Sequence, residues 1–97
     1  LKRLKQYNGI AEETNNKEIL DAILLLAKTE GIFTEPAGGV SVSVVKKMVE
    51  DGKIDKDETV VCYVTGNGLK ATESIMEVLS KPEVMQPDVA KISAVVK

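Results

Sequence analysis

Residues Thr59-Val60-Val61-Cys62-Tyr63-Val64 are β-branched or apolar on both parities, and they run straight into Thr65-Gly66-Asn67-Gly68-Leu69-Lys70. Such a run is expected of a strand buried on both faces of a parallel sheet. A strand of this type needs partners on either side, and the chain offers only short candidates for pairing. The rest of the sheet is therefore expected from elsewhere, upstream in the same polypeptide or from another subunit. The glycine turn after the strand predicts a strand-to-turn-to-helix junction, which is where open α/β sheets present ligand-binding groups.

The chain has 97 residues, enough for one small domain that buries only roughly 60 to 65 % of its unfolded surface. It carries no internal repeat, low-complexity tract or linker, and it starts at Leu1 without a signal sequence, which favours a piece of something larger. Its 13 basic and 15 acidic residues are interleaved, giving a net charge of −2. That balance leaves no basic stripe for nucleic acid and no polybasic patch for anionic lipid. The longest apolar stretch, Ala22 to Ala27, is far short of the roughly 20 residues that span a bilayer. One cysteine, Cys62, precludes a disulfide within the chain and suits a reducing, cytoplasmic setting. Inside an apolar run, Cys62 reads as a packed core residue. The absence of histidine excludes histidine-based acid–base chemistry, and no cysteine or carboxylate spacing suggests a metal site.

Local signals predict mostly helix. Leu1 to Tyr7 reads as a helix end with Asn8-Gly9 as its left-handed exit, and Ile10-Ala11 as a short strand. Asn15 followed by Glu18 is a capping-box signature, so a helix is expected from about Asn16 to Glu30, closed by Gly31. Ile32-Phe33-Thr34 should be an extended link, with Pro36 in the first turn of the next helix. Val40 to Val44 alternates like a strand, but Ala37, Val40, Val44, Val45, Met48 and Val49 keep three-four spacing and Gly52 supplies an ending, so helix is preferred. Further helices are expected over Leu69 to Leu79 and from Asp88, which is placed as a cap.

Two segments stand out for chemistry: the Thr65 to Lys70 turn and, before it, Glu30-Gly31-Ile32-Phe33-Thr34-Glu35-Pro36-Ala37-Gly38-Gly39. Each has an ordinary structural reading. Threonine favours strand ends, Gly-Asn-Gly is a common turn, and Glu35 can serve as a cap before Pro36. Together, with the Pro82-Glu83-Val84-Met85-Gln86-Pro87-Asp88 tail, they resemble the C-terminal part of the threonine synthase family, pyridoxal-phosphate enzymes related to the tryptophan synthase β subunit and to threonine and serine dehydratases.

That resemblance implies a three-layer α/β fold with a mostly parallel sheet and flanking helices. Residues 1–97 would supply its helix-rich C-terminal part without an internal boundary. It implies pyridoxal phosphate as cofactor, O-phosphohomoserine as substrate, and a homo-oligomer, a dimer, for the full-length enzyme. Thr65 would meet the pyridine nitrogen, Glu35 would lie beside the ring, and Gly66 and Gly68 would let the backbone pass close. Lys70 is given no catalytic role. The Schiff-base lysine and the phosphate-holding loop precede this segment in the family, so the isolated chain should be inactive. Many members carry His where Asn67 stands and Asp-Pro where Ala71-Thr72 stands, which puts a chemical role for the Asn67 side chain in doubt. A dehydratase-like segment is the nearest rival, and a non-catalytic interaction or regulatory module derived from the fold is the rival of another class.

Overall fold

A computed structural model describes residues 1–82 and 84–96; Glu83 of the Pro82–Asp88 tail lies outside the described residues. The helices are α1 (Lys2–Gln6), α2 (Asn16–Glu30), α3 (Pro36–Glu50), α4 (Glu73–Met76) and α5 (Val89–Val95), with a single 3₁₀ turn over Gly68–Lys70. Both long helices form where the sequence predicts. The Asn15 side chain accepts from Glu18 N at 3.0 Å while Glu18 Oε2 accepts from Asn15 N at 2.9 Å, a reciprocal cap. Gly31 closes α2 at φ 68°, and Pro36 opens α3.

The pair α2 and α3 carries most of the packing. Ala22 and Ile23 are buried on α2, and Gly38, Gly39 and Ser43 on α3. A β-carbon at Gly39 would stand 2.8 Å from Ile23 Cγ1 and 3.0 Å from Ile19 O, so only glycine allows this approach. The alternating Val40 to Val44 stretch is thus helical, with Ser43 buried on the contact face and Val40 exposed. Residues before α2 are tied to the far half of α3. Ser43 Oγ lies 2.7 Å from Thr14 Oγ1, Lys47 Nζ donates to Glu13 O at 2.9 Å, and Lys53 meets Glu12 at 2.7 Å. The Lys53 hydrogen bond holds the Glu12 carboxyl below the usual carboxylate range, and the Asn15 amide does the same for Glu18.

Beyond Gly52 the sequence expectations hold less well. Thr59–Val64 belongs to no strand or helix, and among the described residues the one β-pairing is an isolated antiparallel bridge between Thr34 and Asn67. The physical reason is the one already given: a strand buried on both faces has nothing to pair with here, and Val61 and Tyr63 stand 75 % and 77 % exposed. The sheet of the expected α/β fold is therefore absent among the described residues, and the helix-rich part is present. Ile10-Ala11 forms no strand either, and Ile10 is exposed.

The helix expected over Leu69–Leu79 is broken into the 3₁₀ turn and α4, because Asn67 turns its side chain onto Leu69 N at 2.8 Å and starts a tight turn instead. Ile75 of α4 is buried, and Ser74 and Glu77 line a groove with Asn16, Ile19, Leu20 and Pro36. Asp88 caps α5 as expected, accepting from Ala90 N at 2.9 Å. The radius of gyration is 18.1 Å, well above the roughly 13 Å of a compact chain of about 100 residues. No described helix is long and apolar enough to cross a membrane.

Candidate functional site

The two segments singled out in the sequence meet. Glu35 N donates to Gly66 O at 3.1 Å and Gly68 N donates to Phe33 O at 3.0 Å, on either side of the Thr34–Asn67 bridge. Thr34 is 1 % exposed, and its hydroxyl proton is shared between Gly66 O and Glu35 O, each 3.2 Å away. Gly38, one turn into α3, leaves the space that the Thr34 hydroxyl fills. A buried polar side chain is thereby satisfied, and the same bond pins the glycine turn to the start of α3.

Glu35 occupies the N-cap position of α3 with extended backbone, yet its carboxylate makes no cap hydrogen bond. It folds over Gly66 so closely that a β-carbon there would overlap the carboxylate. Glu35 Oε2 lies 3.3 Å from Lys70 Nζ, and the Glu35 side chain is largely covered. Gly68 is buried, and the space beside its α-carbon is taken by the Phe33 ring. Thr65 immediately precedes this patch, at the end of the unpaired run, and is exposed.

The structure thus brings Glu35, Gly66 and Gly68 together and leaves Thr65 at their edge, facing outward. It also supplies an internal reason for each glycine, since Glu35 and Phe33 occupy the space freed at positions 66 and 68. Two members of the patch were not singled out from sequence. Lys70, given no catalytic role from sequence, is exposed, but its ammonium turns back onto Glu35. Phe33 was read only as part of a link, although it is the sole phenylalanine and precedes a Gly-x-Gly turn that could receive a flat ring.

Thr65, exposed and neutral, and the largely covered Glu35 carboxylate flank one glycine turn, a set that can meet a flat, polar heteroaromatic group: a hydroxyl can hydrogen-bond a ring nitrogen without adding charge. The residues present fit pyridoxal phosphate in that respect.

Comparison with known proteins identifies the family. Residues 1–66 match the family model described as "Pyridoxal-phosphate dependent enzyme". The chain is 39 % identical over 89 residues to a threonine synthase of Methanocaldococcus jannaschii, covering 92 % of this chain and 22 % of that protein. It is 43 % identical over 84 residues to one of Halalkalibacterium halodurans, covering 86 % of this chain and 24 % of that protein. Against one of Bacillus sp. it is 53 % identical over 66 residues, or 68 % of this chain and 19 % of that protein. The chain thus spans about a fifth to a quarter of the length of these curated relatives. With two thirds of its residues inside the family model, the chain belongs to the pyridoxal-phosphate dependent enzyme family.

Proposed function

We propose that these residues form an unbroken part of the cofactor-binding large domain of a threonine synthase, which converts O-phospho-L-homoserine and water to L-threonine and phosphate. The observation that carries this reading is the interlock of the two motifs, which leaves Thr65 exposed at the glycine turn with the Glu35 carboxylate over the adjoining Gly66. The similarity to threonine synthases supports the reading.

In this reading the Thr65 hydroxyl hydrogen-bonds the pyridine nitrogen and Glu35 lies along the ring. Gly66 and Gly68 keep the wall thin by admitting Glu35 and Phe33. Pyridoxal phosphate, when bound, supplies an electron sink for the amino-acid substrate, and a neutral hydroxyl at its nitrogen makes that sink weaker than a carboxylate would. The Schiff-base lysine and the phosphate ligands come from outside these residues, so the 97 residues alone are inactive. The native enzyme is a cytoplasmic homodimer.

The test is to purify the native polypeptide, measure its intact mass, and assay it for a cofactor absorption band and for phosphate release from O-phosphohomoserine. A long chain with both signals is expected. A colourless, inactive chain would overturn the reading in favour of an interaction module, and a coloured chain that deaminates threonine or serine without releasing phosphate would replace it with a dehydratase.

A further inference from the structure

The ion pair between Lys70 and Glu35 does more than decorate the surface, and its geometry points to a role. Glu35 sits where a side chain ordinarily caps a helix, but its carboxylate is not used for that purpose. Instead the two carboxylate oxygens have different neighbours. Oε2 is 3.3 Å from Lys70 Nζ, while Oε1 is the atom nearest the Gly66 α-carbon face. Glu35 has 21 % of its side chain exposed against 69 % for Lys70, so the lysine reaches inward from the rim to a carboxylate already seated.

The lysine is itself aimed by the turn. Asn67 accepts from Leu69 N at 2.8 Å, and Lys70 N donates to Asn67 O at 3.2 Å, so the 3₁₀ turn fixes where the Lys70 stem departs. Among the described residues Lys70 is the one cation in an ion pair with Glu35. A pair whose cation is 69 % exposed contributes little to stability, so its effect should be felt in orientation.

We propose that Lys70 is a positioning residue: it holds the Glu35 carboxylate in one orientation over the glycine turn, so that the carboxylate meets pyridoxal phosphate bound at Thr65 in a single geometry. This rests on the reading of Thr65 and Glu35 given above. The same turn therefore supplies both the hydroxyl for the ring nitrogen and the cation that fixes the neighbouring acid.

The experiment compares the native polypeptide with Lys70→Met, Lys70→Arg, Glu35→Gln and the Lys70→Met/Glu35→Gln double variant. The readouts are the pH profile of the cofactor absorption band, kcat and KM for O-phosphohomoserine, and the thermal midpoint. Lys70→Met should shift the pH profile and lower kcat by roughly tenfold to a hundredfold, as expected for a misplaced group, with KM changed by less than about threefold. The thermal midpoint should hold, Lys70→Arg should restore most of kcat, and Lys70→Met should add nothing to the loss caused by Glu35→Gln.

A Lys70→Met enzyme with the native band and kcat would overturn the proposal alone, as would losses that multiply in the double variant. A fall in thermal midpoint that accounts for the whole loss would also overturn it. A native polypeptide that binds no pyridoxal phosphate would instead overturn the functional reading, and the proposal with it.

Discussion

Replacing Gly39 by alanine sets two effects of opposite sign against each other. In a helix interior alanine is favoured over glycine by about 1 kcal/mol, largely because it restricts the unfolded chain. Against this, the new methyl would stand 2.8 Å from Ile23 Cγ1 and 3.0 Å from both Ile19 Cγ2 and Ile19 O. Ile23 is 1 % exposed and has nowhere to swing, and Ile19 O is main chain of α2. Restoring ordinary carbon contacts of about 3.5 Å therefore requires the helices to part by roughly 0.5–1 Å. Overpacking of this kind typically costs about 1–3 kcal/mol, so packing should outweigh propensity by about 1 kcal/mol. Native-state hydrogen exchange on the native polypeptide reads this directly. The most protected α2 and α3 amides should exchange about fivefold faster, while α5 amides stay unchanged. The first turn of α3 carries Glu35, so activity should fall as well. Unchanged or slower exchange would refute the reasoning, because propensity would then have won.

Other perturbations isolate other parts of the structure. Asn15→Ala removes one half of the reciprocal cap and should cost about 1 kcal/mol, seen as faster exchange in the first turn of α2; no change there would refute it. The Glu12 carboxyl is lowered chiefly by its hydrogen bond to Lys53, so its stabilising contribution is present above the ordinary carboxylate value and is lost as pH falls through the lowered one. Lys53 is raised chiefly by the same bond, so its contribution is fully present below the ordinary lysine value and is lost as pH rises through the raised one. Lys53→Met should move the Glu12 titration, followed by carbon NMR, back up towards its ordinary value, and an unmoved midpoint would exclude the pair in solution. Thr65→Val keeps the branched shape but deletes the hydroxyl; it should lower cofactor affinity or kcat by roughly tenfold, the equivalent of one hydrogen bond, with Thr65→Ser close to native. An unaltered Thr65→Val enzyme would remove Thr65 from the site.

What could be read from sequence was what is decided locally. The bounds of α2 and α3 are written in adjacent residues: Asn15 with Glu18 at one start, Gly31 at one end, Pro36 at the other start. The Asp88 cap is equally local. Val40–Val44 was ambiguous because its small and β-branched residues fit a strand as well as a helix; the contact of Gly39 with Ile19 and Ile23 resolves it, and that contact is tertiary. The same limit explains Lys70 and Phe33. Each acts across the chain on a residue of the other segment, through a register that spacing along the chain does not encode. The helix expected after Gly68 failed for a local reason, since Asn67 competes for the Leu69 amide as short polar side chains do.

The strength of the bridge that joins the two segments explains why Thr65 depends on the rest of the polypeptide. The bridge consists of Glu35 N to Gly66 O, Gly68 N to Phe33 O and Thr34 Oγ1 to Gly66 O. At about 1 kcal/mol net per hydrogen bond, these contribute about 3 kcal/mol. The partners Thr34 and Gly66 are 32 residues apart, and the length-dependent part of closing such a loop costs about 3 kcal/mol. The two terms nearly cancel, so the helical pair by itself holds the glycine turn only weakly. Burying Val61 and Tyr63 between neighbouring strands would supply roughly 1.5–3 kcal/mol for each side chain, more than the bridge leaves over. In the proposed fold, pairing of Thr59–Val64 would therefore fix Thr65 in place, while α3 would deliver Glu35 beside it. The inactivity proposed for the isolated residues then has a second source beside the missing Schiff-base lysine: the turn that carries Thr65 is held to the Glu35 segment by a bridge of little net stability.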